Sequence, residues 1–261
     1  MYRNLYYLFS VILLLGLVSN TTALTASGST PADKDKVVSL DTDPNLVGWW
    51  KFDEVSGKTA ADSSRHKRKG ELKDGLSFDN DSVSGRIGKA LKLDGRKDFI
   101  QITGYKGVTG TRPRTVAAWV KTTSPRSEFI SWGLDDFGQM FIFCIIRRSG
   151  IGITPNGGYL YSSSEVHDDA WHHVAAVVED VELPNLHDDV RLYQDGELAE
   201  IHDIGLLDLW PINTGSELDV RIGRRLRGLI DDVRIYDRPL SENEVKALFK
   251  LQSNRPLPQP R

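Results

Sequence analysis

Nine short segments in which apolar and polar residues alternate, at intervals set by Gly, Asp and Asn, constrain this chain more than any other feature. They are VGWWKFDE (47–54), ALKLDG (90–95), DFIQIT (98–103), TVAAWVKTT (115–123), MFIFCII (140–146), HHVAAVVED (172–180), DVRLYQDGELAE (189–200), LDVRIG (218–223) and LIDDVRIYD (229–237). Successive side chains of an extended strand point to opposite faces, so a period of two marks half-buried strands. Asp195-Gly196, between two alternating arms, is a two-residue hairpin signal, because Gly takes positive φ at little cost. Many short strands with almost no helical periodicity predict an all-β fold: two antiparallel sheets in a jelly-roll sandwich, with one short C-terminal helix.

That helix is expected over 241–251. Ser241 followed by Glu244 is a capping box, Pro239 blocks extension backwards, and Leu240 and Val245 are placed as a hydrophobic staple. Val245, Leu248 and Phe249 then form a one-sided apolar stripe, which assigns the helix a packing role.

The two ends read differently. Residues 1–26 hold Arg3, the apolar run LFSVILLLGLV (8–18) and then small and polar residues, the layout of a secretory signal peptide. The run is shorter than the roughly 20 residues that span a bilayer, which leaves an uncleaved anchor as the alternative. Residues 27–44 read as a flexible lead-in, 45–251 as one domain and 252–261 as a proline-rich tail. This places the protein outside the cytoplasm, secreted or at the periplasm or cell surface. Cys144, the single cysteine, allows no intrachain disulfide and reads as a small buried hydrophobe. A net charge of −3 gives the molecule as a whole no affinity for nucleic acid, and no membrane partner is expected once the signal is removed.

The segments GWWKFDEVSGKTAADSS, GRIGKALKLDG, TVAAWVKT, WHHVAAVV, VRLYQDGEL and GLIDDVRIYDRPLSENEVKALF resemble, in order, the LamG-like jellyroll family of the concanavalin A-like lectin/glucanase superfamily. The resemblance covers roughly 45–251. It implies a jelly roll of two antiparallel sheets acting as a secreted binding or adhesion module, most readily for carbohydrate on a polysaccharide or glycoprotein. The alternative is an extracellular protein-interaction or structural component that binds no sugar. The family loop after DSS usually carries Gly, Asn and His, whereas this chain has RHKRKG (65–70).

Asp231 lies on the strand face of Leu229, Val233 and Ile235, where a buried carboxylate is costly unless it is paired. Backbone donors, an arginine or a cation would each resolve it. The resemblance implies a structural calcium joining Asp62 to Asp231; hydrogen-bonded loop caps without metal are the equal alternative. His167, His172, His173 and His187 meet no fixed zinc-ligand spacing. RHKRK (65–69) reads as a solvated loop or as a patch for an anionic polymer, such as a sulfated or uronic polysaccharide, which RRLR (224–227) would extend if close in space.

Hydrolases of this fold carry alternating carboxylates in a Glu-x-Asp-x-(x)-Glu run. EVHDD (165–169) lacks the second glutamate, and no Gly-x-Ser-x-Gly elbow is present. No catalytic residue is therefore assigned, and an enzyme is not expected. Sugar contacts would come from aromatic faces and polar rim groups in SWGLDDFG (131–138) and TPNGGYLYSSS (154–164): Trp132, Asp135, Asp136, Phe137, Asn156, Tyr159 and Tyr161, with Trp210 beside them.

Overall fold

The computed structural model describes residues 39–148, 150–205 and 211–253. The expected signal peptide, most of the lead-in and tail, and Trp210 lie outside the described residues. Among the described residues, seventeen strands and two helices follow one another. The first strands are β1 (Leu46–Trp50), β2 (Thr59–Ala60) and β3 (Gly70–Leu72), then a single turn α1 (Phe78–Asp81). After it come β4 (Ser82–Ser84), β5 (Lys89–Asp94), β6 (Ile100–Ile102), β7 (Arg114–Thr122), β8 (Glu128–Gly133) and β9 (Met140–Ile145). The second half contains β10 (Gly150–Thr154), β11 (Tyr159–Glu165), β12 (His172–Val178), β13 (Val190–Gln194) and β14 (Glu197–Leu198). It closes with β15 (Ile201–Gly205), β16 (Leu218–Ile222), β17 (Arg227–Tyr236) and α2 (Glu242–Ser253).

Every strand pairing is antiparallel, and the strands form two sheets. One has eight strands, in the order β14-β13-β12-β7-β17-β5-β4 with β1 also on β17. The other has nine, β15-β11-β10-β9-β8-β16-β6-β3-β2. The expected two-sheet sandwich is therefore present. Its core is the contact between inner faces: Val116, Ala118 and Val120 of β7 and Val174, Ala176 and Val178 of β12 belong to the same cluster as Phe141, Phe143 and Ile145 of β9. The expected hairpin also forms, with Asp195 at φ 52° and Gly196 at φ 81° between β13 and β14.

The eight-stranded sheet is covered on part of its other face as well. Ala117, Ala175, Val177, Tyr193 and Tyr236 point away from the core and form a second cluster with Leu240, Val245 and Leu248 of the C-terminal segment. The capping box is made as expected: Ser241 N donates to Glu244 Oε2 at 2.8 Å, and Glu244 N donates to Ser241 Oγ at 3.3 Å. Phe249 packs on the hairpin turn so closely that a Cβ at Gly196 would come within 2.9 Å of its ring.

Residues 39–44, expected as the end of a flexible lead-in, belong instead to this second layer. Leu40 is buried in it, and Asp43 and Glu244 both pair with Arg238. Removing a buried leucine side chain costs its transfer free energy plus that of the cavity, ~2–5 kcal/mol. Leu248→Ala is therefore expected to lose about that much in urea unfolding, whereas Lys246→Ala, which removes an exposed ion pair to Glu197, is expected to lose less than ~1 kcal/mol.

Candidate ligand-binding groove

The outward residues of the nine-stranded sheet follow from alternation. Phe141, Phe143 and Ile145 face the core, so Ile142 and Cys144 of β9 face outward and are half-buried. Ile151 and Ile153 of β10 face the core, so Gly150, Gly152 and Thr154 face out. Glu128, Ser131 and Arg221 complete this floor from β8 and β16. No described helix or strand lies over this face, unlike the outer face of the partner sheet.

Two adjoining cavities open here. One, of about 590 Å³, is lined by the start of β8 and the residues before it, by β9 and the turn that follows it, and by Thr154 at the end of β10, with Cys144 in its wall. The other, of about 260 Å³, is lined by Asp135, Met140, Leu218 and Arg221. Glu128, Ile142 and Arg225 line both, which joins them into one groove. Burial pushes the Cys144 thiol well above its usual range, so it is present as the neutral thiol.

The expected contact residues divide three ways. Trp132 is a correction: it is a strand residue with no exposed surface, stacked on Phe141 at 4.4 Å and donating Nε1–H to the Val108 carbonyl at 3.0 Å. Its ring belongs to the core and offers no face to a sugar. Asp135, Asn156 and Tyr159 border the groove or the residues that line it. Asn156 Nδ2 donates to Asp135 Oδ1 at 3.1 Å, and Arg147 Nε donates to the Tyr159 hydroxyl at 3.1 Å. Tyr161 lies on the outward face but is buried against His202, with ring centroids 5.3 Å apart. Asp136 accepts the Phe137 N–H at 2.7 Å, and these two residues stand in the β8–β9 loop, Phe137 being 59% exposed. Tyr159 and Tyr161 sit in β11, a strand in a segment expected to be loop.

The aspartates expected to share calcium are arranged otherwise. Both Asp62 oxygens are taken by donors: Oδ1 by the N–H groups of Trp49 (2.9 Å) and Ser64 (2.7 Å), Oδ2 by Ser64 Oγ and Arg68 N (both 2.8 Å). Asp62 is thus a hydrogen-bonded loop cap. Asp231 lies on the outer face of the eight-stranded sheet, because a bulge between Asp231 and Arg234 shifts the register. Asp232 takes φ 47° there, so Ile230 faces the core before the bulge and Val233 and Ile235 after it. Asp231 Oδ2 accepts the Ile87 N–H at 2.8 Å, while its Oδ1 is buried without a hydrogen-bond partner. The nearby carboxylates are Asp232 and Asp53. Among the described residues no three His, Cys, Asp or Glu side chains come together as metal ligands. The donor set does not fit an ion shared by Asp62 and Asp231.

A family model described as the concanavalin A-like lectin/glucanases superfamily matches residues 94–246. The chain belongs to this superfamily. Three solved domains have a similar fold. One is domain 4 of AbnA, an extracellular arabinanase of Geobacillus stearothermophilus, in complex with arabinotriose; identity is 19%, the TM-score 0.56, and the match covers 78% of this chain and 98% of that one. The binding domain of Paraclostridial Mosquitocidal Protein 1 is 17% identical with a TM-score of 0.51, over 80% of this chain and 53% of that one. The receptor binding domain of botulinum neurotoxin D is 14% identical with a TM-score of 0.50, over 82% and 54%. The superfamily member described here thus spans about half of each toxin domain, and at these identities the likeness is one of fold. A comparison with curated proteins gave no match.

Burial raises the Asp231 pKa from 3.8 to about 8, with Asp232 and Asp53 adding repulsion against the backbone donors. A proton held more tightly in the folded state adds stability that is complete below the unfolded pKa and is lost as pH rises through the folded one. Stability is therefore expected to fall between about pH 4 and pH 8, and Asp231→Asn to flatten that fall in urea titrations across the range. A melting temperature raised by millimolar calcium in the natural protein but not in Asp231→Asn would instead put a cation on Oδ1.

Proposed function

We propose that this superfamily member is an exported, non-catalytic binding module that holds carbohydrate in the groove on the outer face of the nine-stranded sheet. One observation carries the reading. Helix α2 and residues 39–44 cover part of the outer face of the eight-stranded sheet, where a cavity of about 730 Å³ remains beside Lys92, Lys121 and Leu229, whereas the nine-stranded sheet carries two adjoining cavities that join into one groove edged by charged side chains. A groove of this size, mostly preformed and edged by a few polar groups, is the usual setting of a small-ligand site. The complex of the AbnA domain with arabinotriose supports sugar as the ligand class, although fold alone does not fix function.

Nothing in the groove calls for chemistry. Glu128 is held by the Ser131 hydroxyl and lies 3.6 Å from Arg224, and Asp135 is held by Asn156. These contacts use the two carboxylates for structure and ligand positioning. A bulky side chain at the half-exposed Thr154 fills the larger cavity without touching the core. Thr154→Trp is expected to abolish retardation in affinity electrophoresis on whichever polysaccharide retards the natural protein, with the melting temperature unchanged. Equal retardation of both proteins would move the site elsewhere, and no retardation on any glycan would remove carbohydrate as the ligand.

A further inference from the structure

The composition of the groove is unlike that of the molecule. The chain carries a net charge of −3, yet the groove is lined by Arg126, Arg147, Arg148, Arg221, Arg224 and Arg225 against only Glu128 and Asp135. Both carboxylates already have partners. Arg126, Arg148 and Arg225 have no carboxylate within ion-pair distance among the described residues, and Arg221 Nε is buried without a hydrogen-bond partner. Burial and the neighbouring charge of Arg224 hold the Arg221 pKa below its usual value, partly offset by the carboxylates of Glu128 and Asp135.

The backbone presents these side chains from turns. Arg147, Arg148 and Arg225 take φ of 55°, 61° and 56°, in the left-handed region where Gly, Asn or Asp is the unstrained choice. Seven other non-glycine residues outside the groove linings share this conformation, Lys67 among them, so it describes how the turns are made and does not single out the groove. Here three such positions each present a guanidinium to the same groove.

The linings also lack the alternative means of recognition. No aromatic side chain lines either cavity. The nearby Tyr159 ring has the Arg147 guanidinium 5.0 Å from its centroid. Stacking of a neutral pyranose or a nucleobase therefore has little to use, while planar guanidinium groups pair with carboxylate and sulfate through two parallel hydrogen bonds. We infer that the groove binds an anionic polysaccharide, whose sugar units carry carboxylate or sulfate groups.

This deepens the proposed carbohydrate reading and rests on it. It also moves the anionic contact away from the 65–69 loop expected from the sequence. Arg68 of that loop packs over Tyr105 at 4.0 Å and donates to the Val47 carbonyl, so it is spent on structure. None of residues 65–69 lines the groove.

The test uses the full chain in affinity electrophoresis and calorimetry with heparin, polygalacturonate, neutral arabinan and single-stranded RNA. The groove variant combines Arg126→Ser, Arg148→Asn and Arg225→Asn, the last two chosen because Asn tolerates positive φ. A loop variant combines Arg65→Ser, Lys67→Asn and Lys69→Ser. Binding to heparin or polygalacturonate is expected; these two arms separate sulfate from carboxylate as the preferred group. Affinity should fall at least ~10-fold between 0.1 M and 1 M salt, as the screening length drops from ~10 to ~3 Å. It should fall ~10-fold for each anion-pairing guanidinium that the groove variant removes and stay unchanged in the loop variant.

Retention on arabinan alone, abolished by Thr154→Trp, would keep the carbohydrate site and overturn its anionic character. Equal retention on RNA would mean undiscriminating charge attraction and would also overturn it. So would binding abolished in the loop variant alone. Binding to nothing would remove both readings together. If the groove variant melts early, Thr154→Trp serves as the folded control, and anionic binding that survives it overturns the assignment.

Discussion

The buried guanidinium of Arg234 is the contact on which the layering of this molecule depends. It emerges from β17 immediately after the bulge, on the outer face of the eight-stranded sheet, with 3% of its surface exposed. It pairs with Asp232 at 3.0 Å and Asp41 at 2.6 Å, and lies 4.0 Å from the ring centroid of Trp49. Trp49 closes the circuit by donating its indole N–H to Asp232. One cation thus ties the last strand to the first strand and to the segment before it. Breaking such a buried pair by removing one partner leaves an uncompensated charge and costs ~3–5 kcal/mol. This network and α2 bury the part of that face formed by Trp49, Ala117, Ala175, Val177, Tyr193 and Tyr236. The other sheet is left with an outer face that can meet a ligand.

Much of the frame was legible because it rests on local rules. The capping box at Ser241 and Glu244, the staple of Leu240 and Val245 and the Asp195-Gly196 turn are all specified within a few residues, and each forms. The central strands of the eight-stranded sheet, β7 and β12, were legible as near-continuous apolar runs because both of their faces are buried.

Of the strands around the groove, β9 and β16 were expected, and β8, β10 and β11 were missed. On the side away from the core these three carry Gly150, Gly152, Ser131 and Ser162, small residues that read as loop. Trp132 was drawn to the surface by its glycine and aspartate neighbours, although the strand turns it inward. The bulge at Asp232 is a single unsignalled residue, and it reverses the face of Asp231. The groove arginines were hidden in another way. They come from the starts and ends of β8, β9 and β16, scattered in sequence, and only RRLR stood out as a basic group.

What keeps the groove in shape is a second buried arginine, and it works without a carboxylate. Arg114 has no exposed surface, and burial lowers its pKa to about 9. Its donors go to the carbonyls of Val108, Gly110 and Arg112 and to the Thr214 hydroxyl, at 2.7–3.0 Å. The Val108 carbonyl also receives the Trp132 indole, so one oxygen joins the loop before β7 to the middle of β8. Thr214 in turn bridges to Gly110, and Gly215 N donates to the Gln139 carbonyl at the mouth of the β8–β9 loop. These bonds fix the end of the groove where Asp135 and Met140 stand. Immobilising loops on binding costs about 0.5–1.5 kcal/mol per ordered side chain. A groove whose floor and end are already held by a carbonyl-caged arginine avoids much of that cost, leaving the charge on its exposed arginines to act on affinity. The buried indole, expected to touch a ligand, instead holds one end of the groove.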